Sequence, residues 1–280
     1  MEYNILKDKI IVNTLNEFDI HQILNCGQFF RFKEDNKKYI VYSLDKKAVV
    51  YKNFDKYIIQ TNDTKYFETF FNLKTNYTYI KENLNKKYPF LNEFIKSGEG
   101  IRILKQDLVE TTLSFIISAN NNIKRIQKII EKICETCGKK VGDFYAFPTL
   151  KEMEKLDEQF FKNIGAGYRA NYLYQTIQFL IKNPNHLTNL DKLPTNLLKN
   201  ELIKLKGVGP KVADCIMLFG YNRFDVFPVD TWIQKFYNKF LDKNEINRVK
   251  IRENLVNMFK EYSGIVQQYV FYYARENKIS

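Results

Sequence analysis

The stretch from Leu202 to Asp230, L-I-K-L-K-G-V-G-P-K-V-A-D-C-I-M-L-F-G-Y-N-R-F-D-V-F-P-V-D, constrains this chain more than any other. An apolar helix ends at Leu205, Gly207-Val208-Gly209 turns the chain, and Pro210 opens the next helix at its favoured first position. Glycines there permit positive φ and the close approach of another backbone. The free amides of such a hairpin, with a helix N-terminus behind them, form a nest for phosphate. An ordinary tight turn between helices is the competing reading. In a basic chain the pattern predicts a helix–hairpin–helix unit, spanning 202–219, that touches a nucleic-acid backbone.

Lys211 falls in the first turn of the second helix. The partial positive charge of a helix N-terminus disfavours an ammonium there, which predicts a lowered pKa and a more available amine, as a nucleophilic lysine requires. A solvated side chain is the plainer alternative in a chain with 36 lysines. Asp230, nineteen residues on, follows Pro228-Val229 and precedes an apolar helix, so it reads as an N-cap. A carboxylate capping a helix that points into the same cleft as Lys211 would also stabilise positive charge developing on a sugar.

Composition narrows the class. A net charge of +12 favours a partner with a dense negative surface. Hydrophobic content of 45% with 15% aromatics excludes disorder. There is no apolar run of membrane-spanning length and no secretory h-region, which points to a cytoplasmic protein. Cys26, Cys134, Cys137 and Cys215 are too sparse for a disulfide scaffold, and Cys134-Glu-Thr-Cys137 lacks the partner ligands of a zinc site. No metal or cofactor is expected. Only eight basic residues are arginine, so each arginine draws notice.

Residues 37–62 read as three short strands of an antiparallel meander. Helical patterning begins near Asp63, and Ser97-Gly98-Glu99-Gly100 is the best candidate boundary. Beyond it Asp107 caps a long apolar helix, and residues 123–137 carry amphipathic spacing before Gly138. Further helices are predicted near 150–163, 168–182, 195–205, 211–219, 230–241 and 246–260. The fold class is α+β: a small N-terminal antiparallel β-sheet domain, 1–99, precedes an all-helical helix–hairpin–helix domain, 100–280.

With these residues in place the chain resembles the 8-oxoguanine DNA glycosylase family of the helix–hairpin–helix glycosylase superfamily, in its compact bacterial form. G-V-G-P-K-V-A-D-C and F-P-V-D carry the superfamily likeness. C-G-Q-F-F-R-F (26–32), G-I-R-I-L-K-Q-D (100–107) with S-A-N-N-N-I-K-R-I (118–126), and G-A-G-Y-R-A (165–170) carry the family likeness. The matches run in order from about Cys26 to Phe271.

The resemblance implies a bifunctional glycosylase and abasic-site lyase acting, as a monomer, on double-stranded DNA that contains 8-oxoguanine. Lys211 matches the nucleophile that attacks C1′ and forms a Schiff base, and Asp230 the carboxylate that assists it. Gly27 matches the glycine whose carbonyl accepts the N7–H of 8-oxoguanine. Normal guanine has a lone pair at N7, so the contact discriminates by an unmade bond, ~1–3 kcal/mol. Cys215 and Phe271 match the two faces of the base pocket and Gln267 the amide on the Watson–Crick edge, with Phe219 and Pro228 also in the lining. Asn120 matches the residue that fills the vacated hole, and Tyr168 the wedge beside the orphaned base. Arg125 and Arg169 match the pair that reads the orphaned cytosine. Trp232, Phe219 and Ala119 depart from the family pattern, Trp232 standing where eukaryotic members have a histidine near the 5′ phosphate.

Two other readings stay open on the sequence alone. An endonuclease III-like enzyme for oxidised pyrimidines shares the hairpin, lysine and aspartate, but that group usually carries a C-terminal four-cysteine cluster, and no cysteine follows Cys215 here. A non-catalytic module would use the hairpin for phosphate contact alone.

Overall fold

The computed structural model describes residues 1–13, 15–242 and 244–279. The three strands expected in 37–62 are β4 (Lys38–Ser43), β5 (Lys46–Asn53) and β6 (Lys56–Thr61). They sit in a larger, wholly antiparallel sheet that also takes β1 (Tyr3–Ile5), β2 (Lys9–Val12) and β3 (Phe32–Asp35), in the order β1-β2-β6-β5-β4-β3. Alternation in β2 buries Ile10 and Val12, which pack with Val41, Val50 and Ile59 of neighbouring strands. Two helices, α1 (Ile20–Asn25) and α2 (Thr64–Phe70), close this first core with Ile23, Leu24, Phe67 and Phe70.

The rest of the chain is helical. The helices are α3 (Tyr77–Lys87), α4 (Asn92–Ser97), α5 (Leu108–Ser118), α6 (Ile123–Cys137), α7 (Leu150–Met153), α8 (Glu158–Asn163), α9 (Arg169–Lys182) and α10 (His186–Leu190). Then come α11 (Thr195–Ile203), α12 (Pro210–Phe219), α13 (Thr231–Phe240), α14 (Arg248–Phe259) and α15 (Ser263–Glu276). A two-stranded ribbon, β7 (Lys140–Val141) with β8 (Phe144–Tyr145), follows α6. The expected single helix over 150–163 is two. Thr149 starts the first with a capping box, and Asp157 caps the second by accepting from the Phe160 amide (2.7 Å). The ribbon, β1, β2, β3, α1, α4, α10 and α15 are elements that the sequence pattern did not announce.

The two layers meet along a dense polar seam. Helices α3 and α4 contribute Ile80, Leu84, Phe94 and Ile95 to the helical core rather than to the core under the sheet. Gly100 accepts from the Asp19 amide (3.0 Å), and a Cβ on it would stand 2.4 Å from the Asp19 Cβ, so only glycine fits that approach. Arg102, fully buried, donates to the carbonyls of Glu17, Phe71, Asn72 and Thr75, with its guanidinium 4.4 Å from the Tyr77 ring centroid. Such saturation is what a buried guanidinium needs.

The seam sets the site. Gln28, also fully buried, donates to the Ile23 and Arg102 carbonyls (both 2.9 Å) and accepts from the Leu104 amide (2.9 Å). Its own carbonyl accepts from Gln106 Nε2 (2.7 Å), and the Gln106 amide bonds the Phe219 carbonyl (2.9 Å). A short chain of bonds thus ties the Gly27 turn to the end of α12.

Candidate active site

Helices α11 and α12 meet as the sequence pattern requires, with Pro210 at the start of α12. Gly207 has φ +82, and a Cβ there would lie 2.8 Å from the Tyr172 Cβ on α9. Gly209, by contrast, is extended (φ −87) with nothing within 4 Å of a built Cβ, so of the two glycines only Gly207 uses positive φ. The Val208 amide is committed to the Leu205 carbonyl (3.1 Å) and its side chain is buried. The Val208 amide is thus not available to an anion at the hairpin.

Lys211 and Asp230 line one cleft of about 860 Å³, together with Gly27, Phe115, Asn120, Trp232, Phe271 and Arg275. Asp230 caps α13, accepting from the Trp232 (2.9 Å) and Ile233 (3.0 Å) amides, as expected. The Lys211 amine lies 5.7 Å from the Phe115 ring centroid, and Phe115 stacks on Phe219 at 5.3 Å. Its electrostatics correct the sequence expectation. Burial acts against the ammonium, but the Cys215 sulfur and the Asp230 carboxylate outweigh it and hold Lys211 above the ordinary lysine value. Burial pushes the Cys215 thiol itself up to about 11.

Behind the cleft lies a cavity of about 50 Å³. Gly27, Lys211, Cys215, Phe219, Pro228, Asp230, Gln267 and Phe271 all border it. Every residue that the sequence assigned to chemistry or to the base pocket thus meets at one point, although 244 positions separate Gly27 from Phe271. Phe271, beside Gly27, is half-buried, as are Gly27 itself, Lys211 and Asp230, whereas Cys215, Phe219, Pro228 and Gln267 are buried. Gln268 also borders the cavity, and its Oε1 is buried without a hydrogen-bond partner among the described residues. No sequence signal singled it out.

Asn120, exposed at the cleft with φ +48, sits where α5 ends. Arg169, almost fully buried, donates to the Ala119 carbonyl through Nε (2.7 Å) and to those of Asn120 (2.7 Å) and Ala166 (3.2 Å). Tyr168 adds its hydroxyl to the Ala119 carbonyl (3.1 Å), with its ring 4.3 Å from the Arg169 guanidinium. Arg125 bonds the Gly165 carbonyl (2.8 Å). Tyr168 and Arg169 therefore brace the Asn120 turn, whereas Arg125 ties α6 to the loop before α9; none of the three is in the cleft wall itself.

A sheet layer welded to a helical body, with lysine and aspartate in the cleft behind a glycine hairpin, defines a helix–hairpin–helix base-excision DNA repair protein. Residues 113–261 match the model of HhH-GPD superfamily base excision DNA repair proteins. Residues 10–112 match the 8-oxoguanine DNA glycosylase N-terminal domain. The chain belongs to the 8-oxoguanine DNA glycosylase family.

Relatives agree along its length. The N-glycosylase/DNA lyase OGG1 of Arabidopsis thaliana is 31% identical over 72% of this chain, the match spanning 60% of the plant protein. The N-glycosylase/DNA lyase of Saccharomyces cerevisiae is 28% identical over 88% of this chain and 75% of its own length. The crystal structure of the Clostridium acetobutylicum 8-oxoguanine glycosylase/lyase, in complex with double-stranded DNA containing cytosine opposite 8-oxoguanine, superposes with a TM-score of 0.94 at 38% identity. It covers 100% of this chain and 99% of that one. Among the described residues no helix is long and apolar enough to cross a membrane.

Proposed function

We propose that this protein is a monomeric, cytoplasmic base-excision enzyme that extrudes 8-oxoguanine from duplex DNA, removes it and cuts the resulting abasic site. The observation that carries the reading is the convergence of Lys211 and Asp230 with Gly27, Cys215, Phe219, Pro228, Gln267 and Phe271 around one cavity. The base enters between Cys215 and Phe271, with N7–H donated to the Gly27 carbonyl and its Watson–Crick edge on Gln267. Lys211 first releases its ammonium proton to solvent; the free amine then attacks C1′ as the glycosidic bond breaks, and the proton shed by the new C1′–N bond leaves with the base. Asp230 stabilises positive charge on the opening sugar. The Schiff base then acidifies C2′, and loss of that proton expels the 3′ phosphate. Gly207 and Gly209 hold the backbone, while Asn120 and Tyr168 occupy the kinked duplex.

Arg125 and Arg169 read the orphaned base, whose O2 and N3 acceptors on cytosine suit a guanidinium fork. Borohydride trapping on an 8-oxoguanine duplex tests the chemistry. A covalent adduct that disappears in Lys211→Gln is expected; salt-sensitive binding with no adduct would leave a DNA-binding module instead. Excision opposite C, A, G and T tests the arginines, and equal rates would remove the preference from the proposal.

A further inference from the structure

Gln267 and Gln268 stand side by side in the middle of α15, 4% and 2% exposed. Gln268 Nε2 donates to Gln267 Oε1 at 2.8 Å. That bond sets the polarity of both amides and leaves Gln268 Oε1 as a buried acceptor without a donor among the described residues. Both side chains border the small cavity shared with Gly27, Cys215 and Phe271. Buried side-chain acceptors are nearly always satisfied, so an unmet one in the wall of a binding cavity marks where a ligand N–H arrives.

A base that reaches this wall must therefore present donors. Guanine-type bases carry two adjacent ones, N1–H and the 2-amino group. Adenine-type bases turn a bare N1 acceptor to the same place and have no donor at C2. We propose that Gln268 is a second specificity-determining residue of the base pocket, its Oε1 accepting from the N–H edge of an extruded guanine-type base while its Nε2 holds Gln267 in register. The inference rests on the reading that this cavity takes the damaged base.

The test compares single-turnover excision of 8-oxoguanine and 8-oxoadenine, each opposite cytosine, by the wild-type protein, Gln268→Met and Gln268→Ala. Methionine keeps the length of the side chain without the amide; alanine removes the amide by shortening it. A partly unfolded variant loses rate on both substrates alike, so the ratio between them reports the contact. Both variants are expected to compress the preference for 8-oxoguanine about ten-fold, the scale of one buried acceptor left without its donor. An unchanged ratio in either variant overturns the role of Gln268 alone. A wild-type protein that excises neither base overturns the functional reading on which it rests.

Discussion

A methyl group on Gly27 would stand 3.1 Å from Cε1 of Phe271, the half-buried ring beside it at the cavity. Gly27 also has φ +76, which L-residues rarely adopt, so alanine there meets both strain and contact. Gly27→Ala should therefore excise 8-oxoguanine at least about ten-fold more slowly, given ~1–3 kcal/mol for a non-glycine residue in this region. Cleavage of a preformed abasic site depends on Lys211 and should fall less. Equal losses in the two assays would place Gly27 outside base recognition.

Asp230 both caps α13 and faces Lys211, and the two roles separate in Asp230→Asn. Asparagine caps about as well as aspartate, so a stability loss beyond a few tenths of a kcal/mol would report the carboxylate lost beside the Lys211 ammonium rather than the cap. Excision should drop ~100-fold or more, because the charge that meets the developing sugar cation is gone. Near-normal excision with unchanged DNA affinity would show Asp230 to be a cap only.

Arg169 spends its guanidinium on the carbonyls of Ala119, Asn120 and Ala166. A lysine preserves the charge but cannot fork across several acceptors. Arg169→Lys should cost about 2 kcal/mol in urea unfolding, since buried carbonyls lose charged donors. It should also flatten the response to the opposite base. Loss of stability with an intact preference for cytosine would confine Arg169 to bracing the Asn120 turn.

What was legible in the sequence follows from how local the cause is. Pro210 behind Gly207-Val208-Gly209, and Asp107 or Asp230 before an apolar run, announce helix starts because capping is decided within four residues. Helix α15 escaped because S-G-I-V-Q-Q-Y-V-F-Y-Y-A has no polar face: all but two of its residues from Ser263 to Ala274 are buried, so no period stands out. Strands β1 and β2 are three and four residues long, too short to show alternation before pairing fixes them. At the site, family motifs named the residues around the cavity, but the bond from Gln268 to Gln267 and the rise in the Lys211 ammonium depend on neighbours brought together only by folding. Gly209 marks the opposite failing, since the G-x-G pattern suggested a positive φ that one of its glycines does not have.

Glu110 lies on α5, 2% exposed, with Oε2 accepting from the Leu44 amide (3.0 Å) and Oε1 3.9 Å from Arg31. Burial outweighs Arg31 and pushes its carboxyl from the ordinary 4.5 up to about 7. The native state therefore holds a proton that the unfolded chain has already released between these values. Stability is full below about pH 4.5, declines as pH rises towards 7, and levels off once both states are ionised, a loss of ~3 kcal/mol on this group's account. Gln at this position keeps an oxygen for the Leu44 amide and carries no proton to lose. Urea unfolding of Glu110→Gln from pH 5 to pH 8 should lack that decline, leaving the variant the more stable protein at pH 8. The same pH slope in wild type and variant would mean that Arg31 already compensates the buried charge in full.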